Sequence, residues 1–217
     1  MKLHKKILAT AMLLIGTASS AYAVNVTNGS TFGLPFTSTS FGGVLLDSIV
    51  TPVTTGVFSG LARAAVYDVG TGLDFYYQFT NDAASKHGIE RLSTFNYADF
   101  TVWTVDAYQT NAAFGVFAAG TKAATTIDRN IQGDVIGTNY LPAGLGKIEP
   151  GENGYTVILR TNAHHYTTGN LAIIDGISAN APAFAPAVPE PETYAMMIAG
   201  LGMLGFLARR KSAKNLG

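Results

Sequence analysis

Between Val44 and Ile177 apolar and polar residues alternate in short runs broken by Gly, Asn, Asp and Pro. The cleanest run is Leu73-Asp-Phe-Tyr-Tyr-Gln-Phe79, which sets Leu73, Phe75, Tyr77 and Phe79 on one face and Asp74, Tyr76 and Gln78 on the other. A period of two with one apolar face predicts a half-buried strand. Leu61 to Val69 reads as its partner, and Gly70-Thr-Gly72 between them supplies a hairpin connection. Further strand candidates, rich in β-branched and aromatic residues, are Val53 to Phe58, Ile89 to Asn96, Phe100 to Ala107, Gly115 to Ala118, Ala124 to Arg129, Val135 to Tyr140, Tyr155 to Asn162 and Asn170 to Ile177. No window offers an amphipathic helix longer than about ten residues. The pattern therefore predicts an all-β fold, a single-domain β-sandwich of jelly-roll type over residues 24–177.

Three stretches fall outside that pattern. Val24 to Phe41 reads as a loosely structured lead-in whose Phe32, Leu34, Phe36 and Phe41 dock on the domain. Leu141 to Gly154 reads as a long loop. Residues 178–187, alanines interleaved with prolines, read as a linker; with the two residues beyond it, at about 3.1 Å each, it would reach about 37 Å and lift the domain clear of a membrane.

Both ends of the chain carry apolar runs of another kind. Residues 1–23 have a basic head, a short apolar middle and small residues at Ala21 and Ala23, the pattern of a secretory signal peptide cut after Ala23. At the other end, Val188-Pro189-Glu190-Pro191 precedes an uncharged run from Tyr194 to Ala208, and Arg209, Arg210 and Lys211 follow. The run has no polar face to turn toward water, so it reads as a transmembrane helix over 194–208. Its fifteen residues span roughly 22 Å against a hydrocarbon core of about 30 Å. Tyr194 at one headgroup layer and the snorkelling Arg209, Arg210 and Lys211 at the other make up the difference. The basic block stays cytoplasmic, which puts Pro189, Glu190 and Pro191 on the exported side.

Motif, apolar run and basic block, together at the end of the chain over residues 188–217, resemble the PEP-CTERM sorting signal of Gram-negative bacteria. The resemblance implies export, a transient inner-membrane anchor, processing by the membrane enzyme exosortase near residues 188–192, and delivery to the cell surface or extracellular matrix. Arg209, Arg210 and Lys211 would be the cytoplasmic stop signal, within a basic tail over residues 209–217. Ala65 to Asn81 also resembles a segment common in PEP-CTERM ectodomains, which implies shared architecture. A GPI signal normally stops on apolar residues, unlike this one. A plain, uncut anchor is the other reading of the tail.

Charge and composition narrow the role of the body. Over residues 24–187 seven Lys and Arg stand against twelve Asp and Glu, 7 − 12, or about −5, which argues against nucleic acid as a partner. The chain has no cysteine, which removes disulfides, thiol catalysis and sulfur-ligated metals. His164-His165 and His87 read as turn residues, not as ligands. Asp128 to Asn139 imitates a calcium loop, but Asn139 stands where a bidentate Glu belongs, so it reads as a polar turn. Tyr76, Tyr77, Trp103 and Tyr108 could stack on sugars, although aromatics at a period of two more often fill a core. No catalytic residue, metal site or cofactor can be named. The expectation is an exported, non-enzymatic surface or matrix component linked to exopolysaccharide or biofilm, with signal peptidase, exosortase and the inner membrane as partners. The alternatives are a carbohydrate-binding ectodomain and a cryptic secreted hydrolase.

Overall fold

The computed structural model describes residues 23–37, 42–97, 104–141, 146–187 and 196–204. Twelve strands form two antiparallel sheets: β1 (Val24–Asn25), β2 (Thr31–Gly33), β3 (Val44–Thr54), β4 (Ser59–Asp68), β5 (Leu73–Asn81), β6 (Arg91–Thr94), β7 (Val105–Thr110), β8 (Thr126–Arg129), β9 (Ile136–Asn139), β10 (Thr156–Thr161), β11 (Tyr166–Asp175) and β12 (Ile177–Pro186). One sheet runs β1-β7-β10-β5-β4-β3 and the other β12-β11-β6-β9-β8-β2. A single hydrophobic cluster draws on both, from Val66, Phe75, Phe79 and Leu159 on one side to Leu92, Ile127, Ile136 and Ile173 on the other. The all-β expectation holds. The jelly-roll order does not: β3, β4 and β5 stay in one sheet as a meander, and β11 and β12 form a long hairpin in the other.

The β4–β5 hairpin forms as the glycines predict, Asp68 pairing with Leu73 across a turn in which Gly70 takes φ +79°. Its second strand departs from the half-buried expectation. β5 is central in its sheet, and Asp74, Tyr76 and Gln78 are buried as thoroughly as Phe75, Tyr77 and Phe79. Residues 111–120 cover that second face. Phe114 and Phe117 stack on each other at 4.8 Å and lie 5.6 and 5.9 Å from the Tyr76 ring. The Gln78 amide closes the cover, accepting from Ala118 N–H at 2.9 Å and donating to the Ala118 and Gly154 carbonyls at 2.8 and 2.9 Å. Gly115 to Ala118, expected as a strand, is a tight turn bridged between Phe114 and Phe117.

The described part of the lead-in, residues 24–37, also joins the sheets. β1 adds to one sheet beside β7 and β2 to the other beside β8, so these residues cap the same side of both sheets. Val26 and Leu34 are buried, Phe36 is half exposed, and Phe41 lies outside the described residues.

The expected linker is a strand. Ser178 to Pro186 pairs with β11 along its whole length, Ile177 opposite Asp175 through to Pro186 opposite Tyr166. Ala179, Ala181, Ala183 and Ala185 form its inner face, and the last three of these are fully buried. Ala187 N–H donates to His165 O at 2.9 Å, so odd-numbered positions direct their backbone groups toward β11. Pro182 and Pro186 fall on the even positions, where an edge strand needs no donor toward its neighbour. Phe184 O, also even, points across to the other sheet and accepts from Tyr77 Oη at 2.5 Å. The prolines that suggested a spacer thus sit where a strand tolerates them.

At the chain ends, residues 1–22 lie outside the described residues, and with them the expected signal helix; Ala23 is exposed. Of the expected transmembrane helix only α1 (196–204) is described, nine residues long. No helix among the described residues is long and apolar enough to cross a membrane.

Candidate functional site

The segment with the clearest functional signature is the C-terminal tail, and its attachment to the body is now defined. Ala187 makes the last β11–β12 bond, so the motif begins at the next residue, with no free spacer before it. Val188, Pro189, Glu190, Pro191, Arg209, Arg210 and Lys211 lie outside the described residues. In α1 the large side chains are all exposed, from Met197 at 56% to Met196 at 73%. Such a helix has no face to hide in water.

The strand registers divide the loops between two ends. The tail leaves at one end, beside the start of β11, the 162–165 loop, the 69–72 turn and the start of β3. Thr161 Oγ1 donates to Leu73 O at 2.9 Å, joining the base of the 162–165 loop to that of the 69–72 turn on this rim. The turn 130–135 between β8 and β9 is on the same rim, tied in by Arg129, which donates to Gly133 O at 2.9 Å and Tyr97 O at 3.0 Å. His164 and His165 stand exposed on this end, as expected for loop histidines.

The opposite end is charged. His87 Nδ1 lies 2.7 Å from Asp175 Oδ2, while Lys147 Nζ donates to Asp175 Oδ1 at 2.9 Å and Glu90 Oε1 at 2.7 Å. Burial raises the Asp175 carboxyl, but hydrogen bonds from Lys147 and His87 outweigh it and hold the group below its ordinary value. Lys147 is held above its own, chiefly by Glu90 and then by Asp175. A shallow depression of about 130 Å³ between Thr54–Ser59 and Ala84–Lys86 lies nearby, smaller than the roughly 300–1,000 Å³ of a small-molecule site.

Two more clusters sit on the sheets. Asp74, fully buried, accepts from Arg160 Nε at 3.0 Å and Nη2 at 2.8 Å, and the guanidinium lies 5.7 Å from the Tyr108 ring centre. Burial and the adjacent Asp74 push the Tyr108 hydroxyl up to about 12. Across the molecule, Arg91 grips Asp128 through Nη1 at 2.6 Å and Nη2 at 2.8 Å, and Asn139 donates to the same carboxylate at 2.7 Å. The first and last positions of the calcium-loop imitation are therefore bonded to each other and to Arg91. Among the described residues, no three His, Asp or Glu side chains are arranged to hold a metal ion.

Of the aromatics considered for sugar stacking, Tyr76 and Tyr77 are buried on opposite faces of β5, Tyr108 is buried under the cover segment, and Trp103 lies outside the described residues. The ionic clusters were missed in the sequence because their partners are 28 to 88 residues apart. The strand β12 did leave a signal, the period-two spacing of its four alanines.

Residues 187–211 match the PEP-CTERM protein-sorting motif. The chain carries this signal, which marks an exported, exosortase-processed protein of the cell envelope or surface. No curated protein and no solved structure matches the chain.

Proposed function

We propose that the chain is an exported surface or matrix protein whose body, residues 24–187, has a non-enzymatic, structural role linked to exopolysaccharide or biofilm. Signal peptidase removes residues 1–23, the apolar tail holds the protein in the inner membrane, and exosortase cuts near Pro189-Glu190-Pro191. The observation that carries this reading is the sorting motif directly abutting a sheet protein. In support of a structural role, Asp74, Asp128 and Asp175 are each engaged by a basic side chain, an arrangement that fixes a fold better than it exchanges protons with a substrate.

The test replaces Pro189, Glu190 and Pro191 together by Ala in the producing cell. Full-length protein should accumulate in the inner-membrane fraction, several-fold over the unaltered chain. Release of a shortened product at the normal rate would refute recognition through these residues.

A further inference from the structure

We infer that the end of the sandwich from which the tail leaves rests on the phospholipid bilayer, with Val44, Leu45 and Leu46 at one corner and Ile131 at the other entering the headgroup layer. This rests on the reading of the tail as a membrane anchor. Val44 pairs with Asp68, Asp68 with Leu73, and Pro186 with Tyr166, which places the start of β3 and the end of β12 on one rim. Ile131 occupies the β8–β9 turn of that rim, above the Arg129 side chain that reaches Tyr97. These four side chains are exposed by 68, 48, 42 and 79%. Because β3 and β8 lie toward opposite edges of their sheets, the two apolar corners stand several strands apart, roughly 20 Å at about 4.8 Å per strand. That is a footprint on a plane, not a single groove.

Chain length selects the occupant. At most eight residues, 188–195, separate Ala187 from the described part of α1, and at about 3.5 Å each they reach no more than roughly 30 Å. Once the tail is in lipid, this rim stays within that distance of the surface. Tethering makes docking intramolecular, so a few apolar side chains suffice where a free domain would dissociate. Charge agrees with the orientation. Lys86, Lys122 and Lys147, with Glu90, Glu149, Glu152 and Asp175, gather at the opposite end, where Ile177 stands among them. The tail end brings Asp47, Asp68, Asp106 and Asp134 against Arg160, whose guanidinium is bound to Asp74, and the exposed His164 and His165, with no lysine among the described residues, so apolar insertion rather than attraction to anionic lipid holds it.

The chain lacks cysteine, so single substitutions can be labelled uniquely. The full-length protein is reconstituted into phosphatidylethanolamine and phosphatidylglycerol vesicles carrying a nitroxide lipid at headgroup depth or in the bilayer centre. An environment-sensitive fluorophore is placed at Leu45→Cys, Ile131→Cys, Ala84→Cys at the far end, or Ile198→Cys in α1. The expected result is a blue shift and at least about twofold headgroup-depth quenching at positions 45 and 131, none at 84, and central quenching at 198. Quenching at 198 with aqueous spectra at 45 and 131 overturns the resting face and leaves the anchor intact. An unquenched 198 overturns the anchor and the inference with it. Concentration-dependent shielding of 45 and 131 in detergent without vesicles assigns the surface to a second copy of the chain, and also overturns it.

Discussion

Tyr77 connects the two sheets through one oxygen. Its hydroxyl lies 2.8 Å from Tyr97 Oη and donates to Phe184 O, and burial pushes its pKa well above the ordinary value, so it stays a donor at any physiological pH. Tyr77→Phe keeps the ring and leaves the buried Phe184 carbonyl without that donor. The expected loss is about 1–3 kcal/mol in urea unfolding, with an unchanged slope. Asp128 and Asp175 make a pH-dependent contribution. Both carboxyls are held below their unfolded value of about 3.9, so their stabilisation is present above that pH and lost as pH falls through the lower folded values. Asp175→Asn should therefore lower stability at pH 7 and flatten the decline below about pH 4, measured as unfolding midpoint against pH. At this scale the sequence was legible where neighbours in the chain decide the outcome, as for exposed His164 and His165. It was opaque where a partner arrives from afar, as Asp175 does for His87 and Arg91 for Asp128.

Among elements, β5 and β12 show what periodicity does and does not reveal. Alternation along Leu73 to Phe79 gave the right strand and the right inner face, because side chains on opposite sides of a pleat meet different neighbours. It could not reveal that residues 111–120 fold over the other face, since a cover is a tertiary event. For β12 the alanine spacing was visible, but composition rich in Ala and Pro favours an extended spacer when no partner strand is known. Truncation distinguishes the two roles. A chain ending at Ala187 should melt within a degree or so of the full-length protein, because the described tail helix is exposed throughout. A chain ending at Ile177 uncovers β11 and the Ala181, Ala183 and Ala185 contacts, and should fail to give a cooperative thermal transition by circular dichroism. Equal melting of the two would restore the spacer.

For the molecule as a whole, the two ends differ in charge: lysines and carboxylates interlock at one, around the exposed Ile177, while the other, beside the tail, exposes Val44, Leu45, Leu46 and Ile131 with no lysine among the described residues. This polarity was not legible in the sequence, where Val44 and Ile131 stand far apart and only strand registers bring them to one rim. The body's net charge of about −5 repels anionic lipid, so vesicle association of the full-length chain should not weaken as salt rises from about 0.1 to about 1 M, which shortens the screening length from about 10 to about 3 Å. A marked fall in the bound fraction on flotation would point instead to a basic contact. The position of β12 carries one more consequence. In an exported chain that emerges amino end first, this strand is the last of the twelve to clear the translocation channel, and the sorting signal follows it without a gap. The sandwich is completed only as its own address label comes into view, so maturation of the fold and handover to the processing machinery are timed by the same stretch of emerging chain.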